Sequence, residues 1–224
     1  MNKPPSMLSE SPLFLTEIFA SVQGETSFTG LPTTFVRLSA CNLRCTWCDT
    51  TYSFKRGSPM LPSVILEKIK EFSCQNVCFT GGEPLLQQGV LSLMSQVCDE
   101  GYTVSLETGG SLPIAIVDPR VHVILDIKCP GSGMSEKNYW DNLKAIKPKD
   151  EIKFVILDRN DYEWAVKVIN EHKLSSLTPH LLLSPVHGKL NPQELVKWIL
   201  DDRLPVRLNM QLHKFIWTPE TKGV

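Results

Sequence analysis

The residues best suited to chemistry cluster early in the chain. The stretch CNLRCTWCDTTYS, residues 41–53, holds three of the seven cysteines, Cys41, Cys45 and Cys48. Thiolates bind soft metals. A structural zinc site wants four ligands, and Cys74 and Cys78 lie too far along the chain for a zinc-ribbon spacing. Three thiolates on one loop suit a metal centre with one position left open. A cubane iron–sulfur cluster held by three cysteines has one such iron, free for a substrate or cosubstrate. Zinc is the alternative that spacing leaves open. A second stretch, TGGEP from Thr80 to Pro84, reads by itself as an ordinary strand-to-helix turn.

The elements that must position these residues alternate. β-rich runs cover 13–19, 33–39, 76–80, 102–108, 121–128, 151–157, 180–184 and 206–210. Helical patterns fall near 62–72, 85–99, 135–146, 160–172 and 191–200. Asn160 with Glu163, and Asn191 with Pro192 and Glu194, read as helix starts. Run 121–128 is almost continuously apolar, as in a strand buried on both faces. Alternating β and α predicts a mainly parallel sheet with helices outside. The helices are too few for eight complete units, so the expected fold class is α/β, an open or incomplete (β/α) barrel. In such folds the chemistry collects at the carboxyl ends of the strands. Cys41, Gly81, Thr108 and Pro130 each follow a predicted strand in that way. Residues 1–12 read as a loose tail and 13–224 as one domain.

Composition excludes several classes. Among 224 residues, 42% are hydrophobic, enough for a sizeable core. The net charge of −1 gives no field to recruit nucleic acid or an anionic membrane. No apolar run approaches the ~20 residues of a spanning helix. The N-terminus lacks the apolar core of an export signal. Seven cysteines without such a signal argue against a disulfide framework and for a reducing, cytoplasmic compartment.

Taken together, CNLRCTWC and TGGEP resemble the two signatures of the radical S-adenosylmethionine enzymes, with Trp47 at the aromatic position of the first. The resemblance implies a 4Fe-4S cluster on Cys41, Cys45 and Cys48. It implies S-adenosylmethionine on the open iron, with Gly81, Gly82 and Glu83 meeting its ammonium. The barrel would then be of the modified type of that superfamily.

Further stretches narrow the match. SVQGETSFTGLPTTFVRLSACNLRCTWCDTTYS (21–53), LETGG (106–110), DIKCPGSG (126–133) and the final MQLHKFIWTPETKGV (210–224) are similar to segments of the 7-carboxy-7-deazaguanine synthase family. That resemblance implies a radical ring contraction of 6-carboxy-5,6,7,8-tetrahydropterin with loss of ammonia, a lyase step toward queuosine and other 7-deazapurines. It implies a magnesium ion on Thr50, beside the substrate carboxylate. It assigns Trp47, Asp49, Glu107, Asp126, Lys128 and Ser132 to S-adenosylmethionine. Val22, Gln23, Gly24, Glu25, Arg37, Thr80, His213 and the α-carboxylate of Val224 fall to the pterin. Chemistry agrees at several of these: a guanidinium fork at Arg37 suits a carboxylate, and an amide at Gln23 suits a pterin edge. A reductant such as flavodoxin or ferredoxin and a homodimer are also implied. Lys153 interrupts an apolar run, pointing into the lumen or snorkelling at its rim. His187 and the other four cysteines receive no role. The rival is a glycyl-radical activating enzyme of the same superfamily; a zinc-stabilised binding module is the rival of another class.

Overall fold

A computed structural model describes residues 11–218, 221 and 223. Nine strands form one sheet: β1 (Leu13–Val22), β2 (Pro32–Leu38), β3 (Ser58–Met60), β4 (Asn76–Gly81), β5 (Thr103–Thr108), β6 (His122–Asp126), β7 (Glu151–Ile156), β8 (Leu181–Pro185) and β9 (Arg207–Leu208). Their order is β3-β1-β2-β4-β5-β6-β7-β8-β9. β1 pairs antiparallel with β2 and with β3, and every pair from β2 to β9 is parallel. The sheet is curled but not closed, with β3 and β9 as its edges, as an incomplete barrel requires. The short β3 was not foreseen; three residues are too few to show periodicity.

The strands alternate with period two. Val36 and Leu38, Val77 and Phe79, and Ile152, Phe154 and Ile156 point outward into the core. There they meet the buried faces of α1 (Pro62–Phe72), α2 (Gly89–Asp99), α3 (Arg159–Glu171) and α4 (Pro192–Asp201). Phe35, Arg37, Ile124, Asp126, Lys153 and Val155 point the other way, into a cavity. β6 is buried on both faces, as expected: Val123 and Leu125 pack outward into the core, while Ile124 is buried on the cavity side beside Asp126. Among the described residues no helix is long and apolar enough to cross a membrane.

Two helix expectations need correction. Residues 135–146 form only short 3-10 turns, Ser135–Lys137 and Trp140–Lys144. Polar side chains there hold neighbouring loops instead of an apolar stripe. Asn138 bonds both the N–H and the carbonyl of Lys128, and buried Asn142 bonds Gly110, Leu112 and Ile114. At α3 the cap is Asp158, which accepts from the Asp161 N–H, so Asn160 already lies in the first turn. Asn191 caps α4 as expected, accepting from the Gln193 N–H. Residues 1–10 of the expected tail lie outside the described residues.

Candidate active site

The inner face of the sheet and the loops at its carboxyl edge enclose a cavity of about 900 Å³. Cys41, Cys45 and Cys48 line one wall, all three reduced and half-buried. Their loop leaves β2 through Ala40, whose φ of 70° is a left-handed turn. The Ala40 N–H donates to the Ser53 carbonyl at 2.8 Å and its own carbonyl accepts from Glu83 at 2.9 Å. The far side of the loop is pinned to the segment after β6. Thr46 donates from N–H to Ser132 O at 3.1 Å and from Oγ1 to Gly131 O at 2.9 Å. Asp161 in turn accepts from the Gly131 N–H at 2.8 Å.

The glycines after β4 explain how this wall is built. A Cβ on Gly81 would fall 2.1 Å from the Leu38 carbonyl oxygen, and one on Gly82 would fall 2.0 Å from that of Ala40. Gly81 also sits at a φ of 141°, which disfavours a side chain. Their bareness thus admits the root of the cysteine loop, while both residues still line the cavity.

Two residues expected at the cosubstrate, Glu83 and Ser132, are buried outside the cavity lining. Glu83 is fully buried behind the wall. Its carboxylate accepts from Thr108 Oγ1 at 2.9 and 3.0 Å, from the Gly109 N–H at 2.8 Å and from the Leu85 N–H at 3.1 Å. Burial pushes its pKa up despite these donors. The acid ties β4 to the turn after β5 and has no face on the cavity. Ser132 is also buried, its hydroxyl donating to Cys129 O at 2.6 Å and accepting from Met134 N–H. It shapes the loop that grips Thr46.

The thiol wall suits a cluster. Burial pushes the Cys41 and Cys45 thiols up, while Lys128 acts against burial at both. The Leu43 N–H donates to Cys41 Sγ at 3.4 Å, and Thr50 Oγ1 lies 3.7 Å from Cys48 Sγ. A cation and polar hydrogens around sulfur stabilise an anionic cluster. Among the described residues no three His, Cys, Asp or Glu side chains converge on one ion-sized point.

The same cavity has a polar floor. Loop 23–27, between β1 and β2, crosses beneath the sheet and bonds to its far strands. The Thr26 N–H donates to Asn209 Oδ1 at 2.7 Å, and Ser27 donates to the buried Glu151 carboxylate at the head of β7. Thr26 takes a φ of 69° to make this crossing. Glu25 meets Lys153 Nζ at 2.9 Å and Gln211 Nε2 at 3.0 Å. Burial would raise the Glu25 pKa, but Lys153 overrides it and holds the value at about 2. Glu107 accepts from Gln23 Nε2 at 3.2 Å and from Thr80 Oγ1 at 3.0 Å. Asp126 Oδ2 faces Lys128 Nζ at 2.9 Å, and its Oδ1 is buried without a partner. An orphaned acceptor at the cavity wall invites a donor from a bound molecule.

Sequence reading placed Val22, Gln23, Gly24, Glu25, Arg37, Trp47, Asp49, Thr50, Thr80, Gly81, Gly82, Glu107, Asp126, Lys128 and His213 on this cavity, and all line it. Lys153 does too, pointing into the lumen rather than snorkelling. Arg37 is less free than expected: its Nε donates to Glu17 Oε1 at 2.6 Å, and Glu17 also accepts from Tyr52 Oη at 2.9 Å. His213 opens the short α5 (His213–Ile216) and packs on Gly24, where a Cβ would fall 2.1 Å from Nδ1. Burial holds the His213 imidazole below its ordinary pKa. Tyr52, His187, Lys189, Gln211 and Lys214 also line it and were not assigned. Gln211 and Lys214 both lie in the quoted MQLHKFIWTPETKGV segment, the one signal that pointed to them; Lys214 Nζ meets Asp49 Oδ2 at 2.7 Å. Val224 lies outside the described residues, but Thr218, Thr221 and Gly223 all line the cavity.

An open parallel sheet carrying three thiols at its carboxyl edge is the architecture of a radical S-adenosylmethionine enzyme, and the profile of the Radical SAM superfamily matches residues 36–127. The chain is 46% identical to the 7-carboxy-7-deazaguanine synthase of Koribacter versatilis, over 94% of this chain and 99% of that protein. It is also 46% identical to the 7-carboxy-7-deazaguanine synthase of Chlorobaculum tepidum, over 97% and 100%. The fold matches the crystal structure of QueE from Escherichia coli with a TM-score of 0.74 at 23% identity, over 90% of this chain and 95% of that one. The chain belongs to the 7-carboxy-7-deazaguanine synthase family.

Proposed function

We propose that this enzyme contracts the ring of 6-carboxy-5,6,7,8-tetrahydropterin to 7-carboxy-7-deazaguanine with loss of ammonia. The observation that carries the proposal is one cavity lined both by the three thiols and by Gln23, Glu25 and His213. Relatives of this kind over nearly the whole chain speak against a glycyl-radical activating enzyme.

A 4Fe-4S cluster on Cys41, Cys45 and Cys48, with S-adenosylmethionine bound, supplies the hydrogen-abstracting radical. The chain itself binds, orients and shields. Asp126, with its unpartnered Oδ1, takes an N–H donor of the cosubstrate, and Lys128 balances the charge. Trp47, Asp49, Gly81 and Gly82 complete that end of the cavity. At the other end Gln23 offers amide donor and acceptor to the flat pterin edge. Glu25, ionised at neutral pH, takes a pterin N–H. Neutral His213 stacks on or bonds the ring, with Val22 and Gly24 beside it. Glu107 and Thr80, already bonded to each other, meet either ligand where the two ends join.

We further assign Thr50 as the protein ligand of a magnesium ion shared with the substrate carboxylate; magnesium needs few protein oxygens because it keeps its waters. Arg37, held by Glu17, supports that carboxylate. The α-carboxylate of Val224 accepts the two parallel N–H donors of the pterin's guanidine-like edge. Residues 13–224 act as one domain, as a homodimer, with a flavodoxin- or ferredoxin-type reductant. The test is incubation of anaerobically reconstituted protein with carboxytetrahydropterin, S-adenosylmethionine and a reductant. Mass spectrometry should show the deazaguanine acid; unreacted pterin beside cleaved S-adenosylmethionine would count against this substrate.

A further inference from the structure

Four cations of the cavity each meet an acid: Arg37 has Glu17, Lys128 has Asp126, Lys153 has Glu25 and Lys214 has Asp49. Three cations beside the cysteine loop do not. Arg44, Lys55 and Arg56 are exposed, and among the described residues none of them meets a carboxylate. Arg44 lies over the ring of Phe54, 4.3 Å from its centroid, and Arg56 lies over that of Phe14 at 3.9 Å. A ring holds a guanidinium in place and leaves its charge unneutralised.

None of the three lines the cavity, so neither of its ligands accounts for them. Cys41 and Cys45 line it, whereas Arg44, one residue before Cys45, is exposed outside it. Its Nη1 folds back on the loop, donating to Cys41 O at 2.8 Å and to Leu43 O at 2.6 Å. Phe54 belongs to both surfaces, since it carries Arg44 and also lines the cavity. Arg56 extends the charge to the root of the loop. Phe14, beneath it, accepts at its carbonyl from the Ser39 N–H at 2.9 Å, two residues before Cys41. The loop thus carries thiols on its inner side and positive charge on its outer side.

A cluster on these thiols takes its electron from outside the chain. A carrier docked over the cavity mouth would obstruct the ligands it serves; one docked behind the loop leaves the mouth clear. Electron-transfer pairs meet over small surfaces, and opposite charge speeds their encounter. We propose that Arg44, Lys55 and Arg56 form the docking surface for a small electron-carrier protein with an acidic face, and that the electron enters through the outer side of the cysteine loop. This rests on the functional reading above. The carrier is oxidised by one electron and the cluster reduced by one; no bond is made or broken.

The experiment mixes reduced, acidic flavodoxin with anaerobic, reconstituted enzyme and follows cluster reduction by stopped-flow absorbance. Calorimetry with oxidised flavodoxin measures binding without electron transfer. Dithionite, a small reductant that needs no docking surface, is the control. Arg44 is left in place because its Nη1 also braces the loop. Lys55→Glu/Arg56→Glu should slow reduction by flavodoxin at least about tenfold at low salt and weaken its binding. Reduction by dithionite should be unchanged. The wild-type rate with flavodoxin should fall steeply as salt is raised, and the variant should lose most of that slope. Lys167→Glu/Lys197→Glu makes the same change of net charge on α3 and α4 and should behave as wild type. Should the reversed variant fail to fold, Lys55→Gln/Arg56→Gln gives the same comparison with a smaller change. Reduction by flavodoxin at the wild-type rate in the patch variants, or equal slowing in the α3 and α4 control, overturns the inference and leaves the substrate assignment intact. A wild-type cluster that dithionite reduces and flavodoxin does not overturns the carrier named in the functional reading, and this inference with it.

Discussion

Gly82 and Ala40 touch backbone to backbone: a Cβ on Gly82 would sit 2.0 Å from the Ala40 carbonyl oxygen and 2.9 Å from the Cys41 Cβ. The second glycine of TGGEP is thus the seat on which the cysteine loop rests. Gly82→Ala should push that loop away and cost about 1–3 kcal/mol, the usual range for overpacking. Iron retained after desalting should fall well below the wild-type level. Gly101→Ala is the control for strain alone: it has a positive φ of 89° but open space around it. Full iron content in the Gly82 variant would refute this account of the motif.

The cysteines should divide by position. Cys41→Ala, Cys45→Ala and Cys48→Ala should each lose the brown charge-transfer absorbance and all cleavage of S-adenosylmethionine. Cys74→Ala should keep both, since Cys74 stands outside the cavity lining. Cleavage at the wild-type rate in the Cys48 variant would remove that residue from the ligand set.

Thr50→Val keeps the side chain's shape and removes its oxygen. Its hydroxyl makes one weak contact in the structure, 3.7 Å to Cys48 Sγ, so folding should be little affected. The variant should keep its iron, and product formation should stop responding to added magnesium. An unchanged magnesium response would move the ion elsewhere.

Glu25 gives a pH prediction. Its ordinary pKa is 4.5 and the folded value is about 2, held down by Lys153 against burial. A depressed carboxylate contributes stability that is fully present above the unfolded value and is lost as pH falls through the folded one. The contribution should therefore stand at pH 7 and fade between about pH 4.5 and pH 2. Urea unfolding of wild type and Glu25→Gln should differ most at neutral pH and converge toward pH 2.5. A gap that is constant across that window would disprove the linkage.

The chain terminus supplies a further test. Thr218, Thr221 and Gly223 line the cavity, which supports a role for the carboxylate one residue on. A C-terminal extension should weaken pterin binding by on the order of 2 kcal/mol, as loss of a charged hydrogen-bonding partner does. Cluster content and S-adenosylmethionine binding should stay unchanged. Equal KM and kcat for N- and C-terminally tagged enzyme would count against it.

Much of this was legible because local signals suffice for local structure. Asn191 supplies a capping side chain and Pro192 a helical φ at the first turn of α4, both local signals, and alternation in 151–157 separates Lys153 from the core residues beside it. Residues 135–146 misled because Asn138 and Asn142 serve distant loops, and nothing in a helical pattern records a partner elsewhere. Glu83 is a related case. A motif names the residue type, but only packing shows that Thr108 and Gly109 consume the acid. Arg37 shows the same limit, since Glu17 claims its Nε from the neighbouring strand. The cysteine loop stood out because CNLRCTWC and TGGEP are local signals, and its three cysteines do line one cavity.

The floor of the cavity is stitched across nearly the whole chain. Thr26 reaches Asn209, 183 positions on, and Glu25 reaches Gln211, 186 positions on. Contacts so remote in sequence pay the largest loop-closure entropy and form late. The thiol wall, by contrast, is held over shorter spans, such as Thr46 to Gly131, 85 positions on. This order predicts a nascent protein shaped like a cup without a base, its sulfurs reachable from below before the final stitch is made. Iron delivery then has a natural window, and air has the same one. Hydrogen exchange during refolding checks the sequence of events: the amides of Thr26 and Leu212 should gain protection after those of Gly82 and Glu83.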